Sequence, residues 1–217
     1  MRHFLAEAIG TFALVFAGCS AIVVDAKTGA LGHIGVAITF GLVIMVMIYA
    51  LGHISGAHFN PAVTFAFALT RHFPWTRALG YWGAQAAGAL VGAGLVLTLG
   101  KHAHDGATLP SGSQGQSFLW ELVLTFFLML VIMAVATDTR AVGEAAAIAV
   151  GGTVGLDAMF GGPVSGASMN PARSLGPALV SGDLHALWLY LVAPPLGAAL
   201  AGLTYQFLRD QPNRPVT

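Results

Sequence analysis

Two copies of one eight-residue pattern constrain the fold of this chain more than any other feature. Ser55–Ala62 reads SGAHFNPA, and Ser165–Ala172, 110 residues further along, reads SGASMNPA. A second pattern, Glu-x-x-x-Thr-Phe, begins at Glu7 and again at Glu121, 114 residues later. Two motifs that recur in the same order at nearly constant spacing indicate that the chain consists of two related halves.

Long apolar runs indicate that the chain folds in lipid. Hydrophobic residues make up 56% of the 217 residues and charged residues only 8%, whereas a soluble domain is about 25% charged. A helix that spans a bilayer needs about 20 predominantly apolar residues. Six runs approach that length, at approximately 4–24, 34–52, 78–99, 118–137, 143–161 and 185–208. We therefore predict an all-α membrane protein with six transmembrane helices.

Two shorter apolar segments begin at the triplets Asn60-Pro61-Ala62 and Asn170-Pro171-Ala172. Each segment is about ten residues long, which at about 1.5 Å per residue reaches halfway across a membrane. Asparagine is a favoured N-cap, and proline suits the first helical position, where no amide hydrogen is needed. The triplets therefore predict two re-entrant half-helices.

The order of the spans makes the second half an inverted copy of the first. Three spans separate the copies, so the second half begins on the opposite side of the membrane and its half-helix meets the other near the middle. A helix that begins there is tolerated only beside protein or a water-filled cavity. We expect the Asn60 and Asn170 amides to donate hydrogen bonds into the lumen, where neutral solutes can accept them. We expect the positive helix ends to repel cations, including protons.

These features predict one transmembrane channel domain over residues 1–217. The first repeat covers about 1–99, an external loop about 100–117, and the second repeat about 118–217. Basic residues indicate the sides of the membrane, because they are in excess in cytoplasmic loops. One side collects Arg2, Arg71, Arg77, Arg140, Arg209 and Arg214, and the other collects Lys27 and Lys101. We therefore expect both termini to be cytoplasmic.

The composition argues against a nucleic-acid partner, a cysteine-based framework and cleavage as a lipoprotein. The net charge of zero argues against a nucleic-acid partner, and the single cysteine, Cys19, excludes an intrachain disulfide framework and a cysteine-rich metal site. The stretch Phe16–Cys19 resembles a lipoprotein cleavage site. Because Glu7 interrupts the leader and five further apolar segments follow, we expect no cleavage there.

The chain resembles the aquaporin or major intrinsic protein family over essentially its whole length. His53–Thr64 and Gly162–Ser174 are most similar to the nodulin-like intrinsic proteins of plants and their bacterial relatives. The resemblance implies the hourglass fold with an inverted 3+3 repeat, a homotetramer with one pore per subunit, and a place in the plasma or inner membrane. It also implies a passive channel for water and small uncharged solutes that excludes ions, is not an enzyme, and has no cofactor or metal.

Arg173 directly follows the second triplet, and a charge at membrane depth is costly and usually functional. In the family, this arginine forms a constriction with three residues that correspond here to Phe40, Ala158 and Ala167. Water-selective members resemble one another in having histidine where this chain has Ala158, so the smaller residue predicts a wider filter. Glycerol, urea and undissociated arsenite or boric acid are therefore candidate solutes beside water, although Ser174 replaces the aspartate usual in glycerol facilitators.

Other polar residues lie in or beside the spans. In the family, acids at the positions of Glu7 and Glu121 hold backbone amides of the loops before the half-helices, so we expect both to be structural. His53 and His58 flank the first half-helix as expected vestibule residues, and permeability below and above neutral pH tests whether either gates the passage. Asp157 is not assigned.

A coupled secondary transporter and an intramembrane enzyme are the alternatives to a channel. A coupled secondary transporter also uses inverted repeats and broken helices, but it would place acids near the midplane, and neither half-helix carries one. An intramembrane enzyme would need a nucleophile and a base within reach. Inhibition by a metal chelator would favour the enzyme.

Overall fold

The computed structural model describes residues 1–100, 106–138 and 145–209, and its regular structure in these ranges is helical. The α-helices in chain order are α1 (Arg2–Thr28), α2 (Gly32–Ser55), α3 (Pro61–Leu69), α4 (Trp75–Val96), α5 (Gln114–Thr137), α6 (Ala146–Ser165), α7 (Pro171–Ser181) and α8 (Leu187–Arg209). A short 3-10 turn, Leu97–Leu99, extends α4. Three of the basic residues used to predict the orientation, Lys101, Arg140 and Arg214, lie outside the described ranges.

Six helices of the described chain are long and apolar enough to cross a membrane, which confirms the predicted number of spans. They are α1, α2, α4, α5, α6 and α8, with mean hydropathies between 1.3 and 2.5. Several extend beyond the predicted boundaries. For example, α5 begins at Gln114 rather than at 118, since the Ser113 hydroxyl accepts a hydrogen bond from the Gln116 amide at 3.1 Å.

The two short helices, α3 and α7, begin at the triplets as predicted. Asn60 Oδ1 accepts from the Ala62 amide at 2.9 Å, and Asn170 Oδ1 accepts from the Ala172 amide at 3.0 Å. A proline follows each asparagine at the first helical position. With 9 and 11 residues, both helices are too short to cross a bilayer.

The helices pack in pairs that repeat between the halves. Helix α1 contacts α4 as α5 contacts α8, and α1 contacts α2 as α5 contacts α6. Each half-helix contacts the last span of the other half, α3 with α8 and α7 with α4, and the two half-helices contact each other. These pairings form the inverted 3+3 arrangement and place the starts of α3 and α7 in the interior.

Glycines at matching places allow the close contacts of α1 with α4 and of α5 with α8. A Cβ on Gly88 would lie 2.1 Å from the carbonyl oxygen of Ala8, and a Cβ on Gly197 would lie 2.1 Å from that of Leu122. Real atoms do not approach so closely, so any side chain at either position would push the two helices apart.

Candidate functional site

The N-terminal ends of α3 and α7 meet in the interior, and each asparagine cap contacts the loop of the other half. Asn60 Nδ2 donates to the Met169 carbonyl at 2.7 Å, and Asn170 Nδ2 donates to the Phe59 carbonyl at 2.8 Å. A side-chain amide carries two N–H groups, so each asparagine retains one for another acceptor. The sequence patterns did not predict these two bonds, which join the half-helices to each other.

A cavity of about 180 Å³ runs beside both half-helix starts. Both caps, Asn60 and Asn170, line it. The four residues predicted for the constriction also line it: Phe40, Ala158, Ala167 and Arg173. Most of the remaining wall is apolar and comes from α1, α2, α3, α5 and α6. Such a wall offers few polar groups that could replace the hydration shell of an ion. A small neutral solute needs only a few such groups.

Arg173 is 2% exposed and is the one buried lysine or arginine among the described residues. Its Nη1 donates to the Gly106 carbonyl at 2.7 Å. The guanidinium carbon lies 5.0 Å from the centre of the Phe40 ring, within the range of a cation–π contact. Its Nε has no hydrogen-bond partner in the described part of the chain. A backbone carbonyl and an aromatic face therefore hold this charge at the cavity wall.

Two glycines of α1 leave room for the aromatic side chains beside the cavity. A Cβ on Gly18 would lie 2.2 Å from Cε1 of Phe40, and a Cβ on Gly10 would lie 2.0 Å from Cε1 of Phe59. An alanine at either position would displace the ring. Sequence analysis missed both glycines because no local signal distinguishes them from the other glycines of the spans.

Glu7 holds the loop that precedes α3. Its Oε1 accepts from Ser55 Oγ at 2.7 Å and from the His58 amide at 3.0 Å. Its Oε2 accepts from the Phe59 amide at 2.7 Å and from Gln85 Nε2 at 2.8 Å. The carboxyl group is fully buried. These four donors therefore take the place of the water that a buried carboxylate would otherwise need.

Glu121 holds the loop that precedes α7 in the same way. Its Oε1 accepts from Ser165 Oγ at 2.7 Å and from the Ser168 amide at 2.8 Å. Its Oε2 accepts from the Met169 amide at 2.8 Å. The Glu121 side chain is also fully buried, and three donors of the described residues hydrogen-bond to its carboxyl group.

The backbone of both loops has an unusual conformation at matching positions. Ala57 and Phe59 in the first loop, and Ala167 and Met169 in the second, have positive φ values between 41° and 53°. A turned backbone of this kind can aim successive N–H groups at one point. In each loop that point is the glutamate carboxyl group, so its contacts stabilise a backbone that is otherwise disfavoured.

His53 and His58 have different surroundings. His58 lines the cavity, its Nδ1 lies 3.0 Å from Thr64 Oγ1, and His53 is exposed at the end of α2. The His58 ring packs among those of Phe67, Phe73 and Tyr81. Within the described ranges, no group of three or more His, Cys, Asp or Glu side chains is placed to hold a metal ion.

Some buried polar residues have contacts that sequence analysis did not anticipate. Gln85 Nε2 donates both to Glu7 and to Thr64 Oγ1, the latter at 3.0 Å. Thr108 Oγ1 donates to Ser174 Oγ at 2.7 Å. Asp157 is buried in α6 but does not line the cavity.

Comparison with known proteins assigns the chain to a family. The model of the family described as Major intrinsic protein matches residues 1–205. The chain belongs to the major intrinsic protein family.

Two plant aquaporin-family proteins are each about half identical to this chain. Aquaporin NIP1-1 of Oryza sativa subsp. japonica is 49% identical over 100% of the chain and 78% of the relative. Nodulin-26 of Glycine max is 48% identical over 100% of the chain and 82% of the relative. The X-ray structure of the aquaglyceroporin from Plasmodium falciparum is 30% identical, with 94% of each chain covered and a TM-score of 0.84. These similarities confirm the family resemblance and the fold class predicted from the sequence.

Membership in the major intrinsic protein family also establishes the class of activity. This member is a multi-pass membrane protein, and it is a channel for water and small neutral solutes rather than an enzyme. A coupled transporter is disfavoured on the same ground.

Proposed function

We propose that this channel passes solutes as large as glycerol, urea and undissociated boric or arsenious acid beside water, and that it excludes ions and protons. The composition of the proposed filter is the observation that carries this proposal. Arg173 and Phe40 line one cavity together with Ala158 and Ala167. One aromatic ring, one guanidinium and two methyl groups leave more space than a filter that contains an imidazole.

Exclusion of cations rests on the charge around the passage. Helices α3 and α7 aim their N-terminal ends at the interior, and each end carries the equivalent of about half a positive charge. The Arg173 guanidinium adds a full charge at the same wall. Hydronium and metal cations are repelled there, whereas a hydroxyl or carbonyl oxygen of a neutral solute accepts hydrogen bonds from Asn60, Asn170 and Arg173.

The two buried acids have a structural function in this proposal. Glu7 and Glu121 accept hydrogen bonds from the loops that lead into α3 and α7. Their loss is expected to destabilise or close the passage rather than to alter its selectivity.

We also propose the organisation that the family resemblance implies. One channel domain over 1–217 contains repeats of about 1–99 and 118–217, joined by an external loop of about 100–117, and four copies assemble with one pore in each subunit. Light scattering of the detergent-solubilised protein, corrected for bound detergent, tests the tetramer. A monomer that still conducts in liposomes would contradict it.

The basic residues support an orientation with cytoplasmic termini in the plasma or inner membrane. Arg2, Arg71, Arg77 and Arg209 belong to ends and loops on one side of the spans, and Lys27 belongs to the other. Labelling of a cysteine added at either terminus by a membrane-impermeant reagent tests this orientation. Labelling of intact cells would contradict it.

Stopped-flow light scattering on proteoliposomes tests the solute range directly, with water, glycerol and boric acid gradients. Wild-type vesicles are expected to equilibrate all three. Ala158→His is expected to slow glycerol by about tenfold or more, as added side-chain atoms in a tight site do, while water slows much less. Ala158→Ser, which keeps the small size, is the matched control. Equal slowing of glycerol and water by Ala158→His would contradict the proposed filter.

A further inference from the structure

The segment 106–111 does more than connect the halves, because it lies against the C-terminal end of α6. The Ser111 amide donates to the Val164 carbonyl at 3.2 Å, and Ser111 Oγ lies 2.8 Å from the Pro163 carbonyl oxygen. Ser117 Oγ, at the start of α5, donates to the same Val164 carbonyl at 3.3 Å. The segment is therefore attached to the end of α6, beside the proposed filter.

Gly106 brings a backbone carbonyl to the buried arginine. Its oxygen accepts from Arg173 Nη1 at 2.7 Å, and Cys19 Sγ lies 3.6 Å from the same oxygen. Gly106 has φ of 80°, and a Cβ there would lie 2.5 Å from the Cβ of Cys19. Only glycine fits between α1 and the arginine in this conformation. The position of the guanidinium consequently depends on where the segment holds this carbonyl.

Thr108, two residues further on, attaches the segment to the next residue of α7. Its buried Oγ1 donates to Ser174 Oγ at 2.7 Å. Its Cβ and Cγ2 would lie 3.2 Å from a Cβ on Gly166, the residue before Ala167. The segment thus contacts the first turn of α7 at two consecutive residues, through a carbonyl at Arg173 and a hydroxyl at Ser174.

The hydroxyl groups form a chain with one direction. Ser174 Oγ is hydrogen-bonded to Ser168 Oγ, and Ser168 Oγ donates to the Asn170 carbonyl at 2.9 Å. Each hydroxyl has one proton, so Thr108 donates to Ser174, Ser174 to Ser168, and Ser168 to the carbonyl. The single proton of the Ser174 hydroxyl is used in its bond to Ser168. In the bond between Thr108 and Ser174, Thr108 is therefore the donor and Ser174 the acceptor.

We propose that Thr108 and Ser174 are positioning residues that hold the Gly106 carbonyl, and through it the Arg173 guanidinium, and so set the largest solute that passes. This inference rests on the proposed function, because it requires Arg173 to bound the passage. Without the bond from Thr108 to Ser174, the carbonyl moves and Arg173 Nη1 loses its acceptor. Because Arg173 Nε has no hydrogen-bond partner in the described ranges, the guanidinium then turns toward acceptors in the lumen and narrows it.

The experiment compares glycerol and water permeability of variants in proteoliposomes. Thr108→Val keeps the shape and removes the hydroxyl, and it is expected to lower the glycerol-to-water ratio about threefold, the size of one net hydrogen bond. Thr108→Ser restores the hydroxyl and is expected to restore the ratio. Thr153→Val is the matched control, because within the described part of the chain that hydroxyl bonds only to the Ala149 carbonyl of its own helix.

A double-mutant comparison shows whether the two side chains act through one bond. Ser174→Ala is expected to lower the ratio as Thr108→Val does, and the double variant is expected to be no worse than Ser174→Ala alone. Equal loss of water and glycerol permeability in Thr108→Val, no change in the ratio, or additive effects would overturn the proposal. If Ala158→His lowers the glycerol-to-water permeability ratio while Thr108→Val leaves it unchanged, only this inference is wrong. If neither variant lowers the ratio, the proposed filter is wrong as well.

Discussion

The two re-entrant loops contact their glutamates in the same way but differ in what else holds them. In the first half, Gln85 of the spanning helix α4 donates both to Glu7, which holds the loop, and to Thr64 in the half-helix α3. In the second half, the residue equivalent to Thr64 is Ser174 in α7, and its donor is Thr108 from the segment between the halves. One loop is held from within a spanning helix, and the other from a connection outside the spans.

The difference extends to the cavity wall. The residue after the first triplet is Val63, whereas the residue after the second is Arg173. The contacts shared by both loops form the scaffold, and the contacts specific to the second loop surround the one buried cation of the described residues. We therefore expect changes in the first loop to reduce stability and changes in the second to alter selectivity as well.

Removing the two buried carboxylates is expected to have the largest effect. Glu7→Ala and Glu121→Ala each leave backbone N–H groups buried without acceptors, and each is expected to cost about 3 kcal/mol or more. Glu7→Ala should cost more, because Glu7 accepts from four donors and Glu121 from three of the described residues. Thermal unfolding in detergent measures both. A larger loss for Glu121→Ala would contradict the comparison.

The helix contacts are expected to be alike in the two halves. Gly88→Ala and Gly197→Ala each place a Cβ 2.1 Å from a backbone oxygen, and overpacking of this kind costs about 1–3 kcal/mol. Similar shifts of the unfolding temperature are expected from both. Gly94→Ala is the control, because a Cβ there meets no atom of another described helix or loop within 4 Å. If only one of the two variants is destabilised, the pairing of α1 with α4 is not equivalent to that of α5 with α8.

Replacing the buried cation tests the difference between the triplets. Arg173→Val gives the second half the residue of the first, and it is expected to raise proton conductance at least about tenfold. Two unit charges about 4 Å apart repel each other by about 4 kcal/mol at an effective dielectric constant of 20. Because about 1.4 kcal/mol already corresponds to a tenfold change in rate, an expected tenfold rise in proton conductance is a lower bound. A pH-sensitive dye inside the liposomes measures it, with Arg77→Val, at the exposed start of α4, as the control. An unchanged leak would assign proton exclusion to the helix ends alone.

The smallest effect is expected at the residue that holds the first loop. Gln85→Leu removes the two hydrogen bonds that Gln85 Nε2 donates, which is destabilising. It also removes Gln85 Oε1, a buried acceptor with no hydrogen-bond partner in the described ranges, and this partly offsets the loss. The net loss of stability is expected to be about 1 kcal/mol. The glycerol-to-water permeability ratio should stay at the wild-type value, in contrast to Thr108→Val. A shift in that ratio would remove the distinction between the two loops.

Much of the architecture could be predicted because its causes are local. The six spans follow from the lengths of apolar runs, and the starts of α3 and α7 follow from Asn60 and Asn170 with the prolines after them. Phe40, Ala158 and Ala167 came from the family resemblance, and they line the same cavity as Arg173. Gly106 and Thr108 gave no such signal, because they lie in a polar connection that resembles a simple linker.

The amino-acid sequence by itself determined that this chain spans lipid six times and starts two helices at asparagine-proline pairs. These outcomes depend on hydrophobicity and hydrogen bonds within a few neighbouring residues. Only the tertiary structure decided that Asn60 and Asn170 bind carbonyls 109 and 111 residues away, and that Arg173 binds the Gly106 carbonyl 67 residues away. Such partners are chosen by the packing of whole helices, which brings distant backbone groups within hydrogen-bond distance and which no local pattern records.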